Sequence, residues 1–102
     1  SIIALYITFP NESTAREIGN QVLLKRLVAC ANYFPMRSAY WWQGQVENDS
    51  EWVAFMKTTA EGVKNVEAFV RTVHPYDVPC IVNWEVHANA DYEDWVRAEV
   101  TS

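Results

Sequence analysis

The sequence predicts an α+β domain in which one antiparallel sheet packs against helices. Short apolar runs of strand length, bounded by proline or polar residues, alternate with longer segments whose apolar residues recur every three to four positions. The chain has 102 residues and 50% of them are apolar, which is enough for one core but too little chain for two. We therefore expect residues 1–102 to form a single domain.

The first half of the chain predicts a strand, a helix and a pair of strands. Ile2–Phe9 is almost continuously apolar and stops at a proline, which predicts a strand buried on both faces. Asn11 is a suitable N-cap, and apolar residues at helical spacing follow it to about Leu27. Val28–Phe34 and Ser38–Val46 are strand-like, and the short link between them predicts an antiparallel hairpin.

The middle of the chain predicts a central strand and a second helix. The polar residues 48–50 are typical of a turn, and Trp52–Met56 is another apolar strand after it. Thr58 and Glu61 fit a capping box, and valines at three- and four-residue spacing follow until Pro75 ends the helix.

The last part of the chain predicts one more strand and a short helix. Cys80–Val86 is typical of a strand, and Asn89 is a suitable N-cap for an amphipathic helix that carries Tyr92 and Trp95. Helices placed between the strands in this way split an antiparallel sheet, which predicts a ferredoxin-like βαββαβ sandwich. The sandwich gains one extra short strand and the C-terminal helix.

Aromatic residues are abundant for a chain of this length, with five Trp, five Tyr and four Phe. Helices on one face of the sheet leave the other face open, and strand alternation places Trp41 as the lone large ring on an otherwise polar side of its strand. Burying apolar surface is worth about 25 cal/mol per Å², so a bare aromatic face favours association. We expect a homo-oligomer; the alternative is that the rings fill the core of a monomer.

Charge and composition argue against several classes of partner. The formal net charge is −5 and the eight basic residues are scattered, which argues against nucleic acid and anionic membrane surfaces. No apolar run approaches the roughly 20 residues that span a bilayer, and residues 1–9 lack the basic region of a signal peptide. We therefore expect an intracellular, soluble protein, with Cys30 and Cys80 as reduced thiols.

His74, Asp77 and Cys80 are the candidate metal ligands. They lie three residues apart in a loop stiffened by prolines, and imidazole, carboxylate and thiolate are the side chains that bind transition metals. The alternative is structural, with Pro75 ending a helix and His74 satisfying its last carbonyl groups. Cys30 lies inside an apolar strand and is expected to pack as a small hydrophobic residue.

The sequence shows no signature of an enzyme. It lacks a recognisable arrangement of nucleophile, base and orienting group, and its three glycines form no phosphate loop. Glu47, Asp49 and Glu51 form an acidic cluster, but they lie at the expected hairpin tip, where charges are ordinarily solvated. His87 is expected to be a solvated residue near a strand end.

Four short segments carry a family resemblance. They are Ala29-Cys30-Ala31-Asn32, Tyr40-Trp41-Trp42-Gln43-Gly44, Lys57-Thr58 and, the most specific, His74-Pro75-Tyr76-Asp77-Val78-Pro79. Together they resemble the CutA family of divalent-cation-tolerance proteins, and the likeness covers essentially the whole chain.

The resemblance implies a ferredoxin-like protomer in a cyclic homotrimer, a cytoplasmic setting in microbes, and an association with copper and other divalent metal ions. The glutamate that commonly follows the second proline is Cys80 here, which shifts the expected preference toward Cu(I) or Zn(II). We expect the subunit interface, or a cleft between subunits, to contain Tyr40, Trp41, Trp42, Lys57, Tyr76 and Trp84.

Three functions are consistent with these observations. The first is a non-catalytic homotrimer that binds copper or another divalent cation and contributes to metal tolerance. The second is a trimeric signalling protein that resembles PII and takes a small anionic effector in intersubunit clefts bordered by Tyr76 and Lys57. The third is a purely structural trimeric scaffold. A ligand of the native trimer should raise its melting temperature, so a thermal-shift screen separates them.

Overall fold

One antiparallel sheet of four strands organises residues 1–101, which are the residues that the computed structural model describes. In chain order the elements are β1 (Ile2–Phe9), α1 (Glu12–Leu24), β2 (Cys30–Trp42), β3 (Gln45–Thr58), α2 (Ala60–Val73), β4 (Ile81–Val86) and α3 (Ala90–Glu99). The strand order across the sheet is β2-β3-β1-β4, and every neighbouring pair is antiparallel. The predicted ferredoxin-like βαββαβ sandwich with a C-terminal helix is therefore confirmed.

Helix α1 begins at its expected cap and ends earlier than expected. Asn11 Oδ1 accepts the Thr14 N–H at 2.8 Å, which satisfies one of the free amides of the first turn. The helix ends at Leu24 rather than at about Leu27, because Arg26 adopts a left-handed conformation with φ of 59°. A left-handed residue near a helix end redirects the chain and stops the helical hydrogen-bond pattern.

Helix α2 is capped by Thr59, not by Thr58 as the sequence predicts. The Thr59 hydroxyl oxygen accepts the Gly62 N–H at 3.1 Å. Thr58 is instead the fully buried last residue of β3, and its hydroxyl donates to the Leu27 carbonyl at 2.6 Å. The predicted capping box of Thr58 with Glu61 is wrong by one residue, because the strand extends to Thr58.

Two long strands, β2 and β3, replace the three shorter segments predicted for this part of the chain. Pro35 lies inside β2, opposite Trp52, and is tolerated there because β2 is an edge strand that needs no hydrogen bond on its outer side. Residues 48–50 pair with residues 37–39 instead of forming a turn. The predicted break after Phe34, the turn at 48–50 and a separate extra strand are therefore not found within residues 1–101.

The hairpin between β2 and β3 turns at Gln43 and Gly44. Both residues have positive φ, 52° and 81°, as a two-residue type I′ turn requires. The resulting register places Trp41 opposite Val46, with 74% and 53% of these side chains exposed. The prediction that Trp41 stands alone on a polar side is therefore wrong, because the turn brings Val46 beside it.

The two faces of the sheet have different surroundings. One face packs on α1 and α2, and its fully buried core consists of Leu5, Ile7, Phe9, Ala15, Ile18, Val22, Val28, Ala54, Met56, Val66 and Val70. The other face is covered at one end by α3, where Val96 and Val100 pack on Ile2. We call the remainder of that second face the open face; by strand alternation it carries Tyr6, Phe34, Phe55, Val82 and Trp84.

β2 and β3 extend well beyond the other two strands. β1 ends at Phe9, opposite Trp52, so the hairpin beyond this point has no further strand beside it among residues 1–101. We call residues 36–51 the arm. The molecule is elongated as a result, with extents of 45 × 25 × 20 Å. None of the helices within residues 1–101 has the length and apolar character needed to cross a membrane.

Candidate functional site

The loop between α2 and β4 fixes His74 through both of its ring nitrogens. His74 ends α2, and its ring stacks on Phe9 with centroids 4.8 Å apart. Nε2 lies 2.7 Å from the Thr8 carbonyl, which can only accept, so Nε2 carries the proton. Nδ1 accepts the Tyr76 N–H at 3.1 Å. Both nitrogens are therefore engaged with backbone groups when the imidazole is neutral.

Burial lowers the pKa of His74 below its ordinary value of 6.5, although the bond to the Thr8 carbonyl and the charge of Glu51 act in the opposite direction. Protonation would place a second N–H on Nδ1, directly facing the Tyr76 N–H. Two donors cannot bond each other, so an imidazolium at this position would release the Tyr76 amide.

Tyr76 connects the loop to the arm through its side chain. Its hydroxyl donates to Glu51 Oε2 at 2.6 Å, and its ring lies 4.8 Å from the His74 ring. Glu51 is only 7% exposed, so Tyr76 satisfies a buried carboxylate. Burial and the bond to Glu51 both raise the pKa of Tyr76. His74, Tyr76 and Glu51 thus form one connected cluster at the base of the arm.

Further along the arm, Tyr40 donates its hydroxyl to Asp49 Oδ2, a bond that raises the pKa of Tyr40 to about 12. The Tyr6 hydroxyl donates to the sulfur of Met36 at 3.2 Å, and Met36 lies in β2 directly opposite Glu51 of β3. Tyrosine hydroxyls therefore hold groups of the arm in place at three positions.

Glu51 is a member of this cluster that the sequence reasoning missed. The acidic cluster of Glu47, Asp49 and Glu51 was expected to be solvated at a hairpin tip, but the tip lies at Gln43 and Gly44, and Glu51 is buried. The available signal was the alternation of a continuous strand, which places Glu51 on the same face as the buried Val53. The assumption of a turn at residues 48–50 hid that alternation.

The predicted metal ligands are not assembled within one protomer. Asp77 and Cys80 are both exposed, whereas His74 is half-buried with both nitrogens bonded to backbone. Across residues 1–101, no three His, Cys, Asp or Glu side chains lie together in an arrangement that could hold a metal ion. The set of His74, Asp77 and Cys80 therefore does not fit a metal ion in the isolated protomer, because imidazole ligation would break a backbone hydrogen bond.

The remaining thiol and the expected cleft residues lie elsewhere on the open face. The sulfur of Cys30 is half-buried, 3.3 Å from the Tyr92 hydroxyl of α3. The Lys57 ammonium lies 4.5 Å from the centre of the Phe55 ring, and Trp84 packs edge-on against that ring at 5.6 Å. His87 is exposed, as the sequence predicts.

Tyr76 and Lys57, expected to border one cleft, are not close within a protomer. Tyr76 bonds Glu51, and Lys57 lies six positions further along the extended strand, which is a distance of about 20 Å. A cleft bordered by both side chains would therefore need two copies of the chain.

Comparison with known proteins identifies the family. The family model described as CutA1 divalent ion tolerance protein matches residues 3–99. The chain belongs to this family. It is 45% identical to the divalent-cation tolerance protein CutA of Thermotoga maritima, over 97% of this chain and 99% of that protein. It is 37% identical to the CutA protein of Pyrococcus horikoshii, over 96% and 97% of the two chains.

Solved structures of CutA proteins have the same fold. The CutA1 structure from Thermus thermophilus superposes with a TM-score of 0.94 at 36% identity, covering 99% of this chain and all of that one. The structure of the periplasmic CutA from Archaeoglobus fulgidus superposes with a TM-score of 0.95 at 32% identity, covering 99% and 100%. The family resemblance and the fold inferred from the sequence are both confirmed.

The lowered pKa of His74 predicts that acid destabilises the loop. The imidazole binds a proton more tightly in the unfolded chain than in the folded one. The contribution of neutral His74 to the free energy of unfolding is therefore fully present above about pH 6.5 and decreases as the pH falls below it. We expect wild-type protein to lose more stability between pH 7 and pH 5 than His74→Gln, whose amide can still donate and accept. Denaturant unfolding at fixed protein concentration measures this, and equal pH dependence in the two proteins would contradict it.

The bond from Tyr76 to Glu51 predicts a specific loss of stability in Tyr76→Phe. Removing the hydroxyl leaves a buried carboxylate oxygen without its donor, which should lower the free energy of unfolding by about 2 kcal/mol. Tyr40→Phe is the matched control, because its partner Asp49 is exposed and can bind water instead. Urea unfolding of both variants checks this; an equal loss in the two would show that the burial of Glu51 is not the cause.

Proposed function

We propose that the protein is a non-catalytic homotrimer that binds copper or another divalent cation and acts in the cytoplasm in tolerance to metal ions. Membership of the CutA1 divalent ion tolerance family supports the link to metal ions. The observation that supports a homo-oligomer is the arm, a long two-stranded hairpin that has no further strand beside it within residues 1–101. An isolated two-stranded hairpin is marginally stable in water, so the arm needs a partner.

The surface of the arm supports association between copies. Trp41 and Val46 are adjacent and largely exposed, and the edge of β3 beyond Trp52 offers unpaired backbone groups. The open face adds Val82 and Trp84, each more than two-fifths exposed. Contact between the arm of one copy and the open face of the next can repeat from copy to copy and close into a ring, such as a trimer.

A metal ion bound by this protein would draw its ligands from more than one copy. Asp77 and Cys80 are exposed on the loop and are available, whereas His74 would first have to give up the Tyr76 N–H. The thiolate of Cys80 favours Cu(I) or Zn(II) over hard cations such as Mg²⁺. Cys80 is therefore the ligand on which the proposal depends most directly.

The absence of a catalytic role in this proposal rests on the chemistry of the loop. His74 has the side chain most often used as a general base, but neither of its nitrogens is available to a substrate without breaking a backbone bond. The burial of Tyr76 and its bond to Glu51 also keep that hydroxyl protonated. The cluster is therefore suited to holding the arm rather than to transferring protons.

Titration of the reduced protein with Cu(I), with zinc as competitor and the native mass recorded in parallel, tests the metal assignment. We expect saturable binding at a fixed number of ions per oligomer, lost in Cys80→Ser and retained in Cys30→Ser, since the Cys30 thiol is half-buried against Tyr92. Competition with zinc is needed because copper has the highest affinity among the divalent metals and binds many sites. Binding that is unchanged in Cys80→Ser, or that never saturates, would contradict the proposal.

A further inference from the structure

Two opposite charges on the open face have no ionic partner within residues 1–101. Glu51 lies at the base of the arm, and Lys57 lies near the far end of β3. Strand alternation places both side chains on the open face. We propose that they pair between copies, so that Lys57 of one copy binds the Glu51 carboxylate of the next. This inference rests on the homo-oligomer proposed above and names the contact that joins its subunits.

Glu51 is the acceptor of the proposed pair. Its side chain is 7% exposed, and within residues 1–101 its one hydrogen bond comes from the Tyr76 hydroxyl at 2.6 Å. A carboxylate has about four acceptor positions, so this single donor leaves most of its capacity unused. A buried carboxylate without a cationic partner is costly, because its desolvation is not offset by an opposite charge. The protomer therefore contains a preformed acceptor for a positively charged group.

Lys57 is the matching donor. Its ammonium lies over the Phe55 ring and 3.3 Å from Asn32 Oδ1, and both partners are neutral. These contacts hold the amine in place without neutralising its charge, and an amine positioned in this way loses little entropy when it binds an anion. Lys57 is thus oriented on the same surface that needs a partner.

The other basic residues fit this role less well. Lys25 lies over Phe69 on the helix side of the molecule, 4.9 Å from the ring centre, and Lys64 is exposed on α2. Arg37 follows Met36 in β2 and so points to the opposite face of the arm from Glu51. Lys57 is the basic residue of the sheet that faces the open side.

One chain cannot form this pair by itself. About 20 Å of extended strand separates Glu51 from Lys57, far beyond the reach of a lysine side chain. The pairing therefore joins different copies. In the proposed trimer it is head-to-tail, with each copy giving its Lys57 to one neighbour and its Glu51 to the other. The apolar surface between the two charges, which includes Phe55 and Trp84, would exclude water from the contact and strengthen it.

The rate of subunit exchange between unlabelled and heavy-isotope-labelled protein, followed by native mass spectrometry, tests the pairing. We expect Glu51→Gln and Lys57→Met each to accelerate exchange about tenfold or more, since losing one member of a buried interfacial charge pair mainly increases the dissociation rate. The double variant should exchange no faster than the faster single variant, because the pair is already lost. Coupling of this kind between residues about 20 Å apart in one chain can arise only across an interface.

Exchanging the two charges provides a second, independent test of the pairing. Glu51→Lys and Lys57→Glu should each weaken the oligomer, and combining them should restore slow exchange, because every interface then holds one reversed pair. The control pair is Glu61→Gln and Lys64→Met, both exposed on α2, which should leave exchange unchanged. Circular dichroism confirms that each variant is folded.

The possible failures are distinguishable. Effects that simply add in the double variant, or a charge exchange that restores nothing while the oligomer of the wild-type protein is intact, would overturn the pairing of Glu51 with Lys57 and leave the oligomer standing. A wild-type protein that is monomeric at micromolar concentration would overturn the oligomer, and with it the pairing.

Discussion

The unequal lengths of the strands determine which surfaces of the molecule are left uncovered. β2 and β3 have 13 and 14 residues, whereas β1 and β4 have 8 and 6, so only half of the long hairpin lies in a four-stranded sheet. The other half, the arm, exposes Trp41 and an unpaired strand edge. Within residues 1–101 no further strand lies beside the arm, so its strand edge is open to solvent or to a partner.

The most specific motif of the sequence lies where the arm leaves the sheet, and its contacts explain its composition. His74 binds the end of β1 and the amide of Tyr76, and Tyr76 then reaches the buried Glu51. Proline after His74 ends the helix so that the chain can make this crossing. In this protomer the motif positions the arm, and any metal chemistry of the loop falls to Asp77 and Cys80, whose side chains remain exposed.

Local patterns predicted β1, the three helices and β4, whereas the lengths of β2 and β3 depend on pairing between distant residues. The Asn11 cap and the buried first strand follow from contacts within a few residues, and both are found as expected. Pro35 and the polar residues 48–50 look like strand ends in sequence, but an edge position and a partner strand across the hairpin keep them extended. The burial of Glu51 depends on Tyr76, which is distant in sequence, so the acidic cluster by itself could not reveal it.

We propose that further copies of the same chain cover the arm and the open face. The most direct test is the mass of the metal-free protein in solution, measured by sedimentation equilibrium over a dilution series into the low micromolar range. We expect three times the chain mass of 11.8 kDa, without dependence on added copper. A species with the mass of a single chain throughout the series would contradict the account.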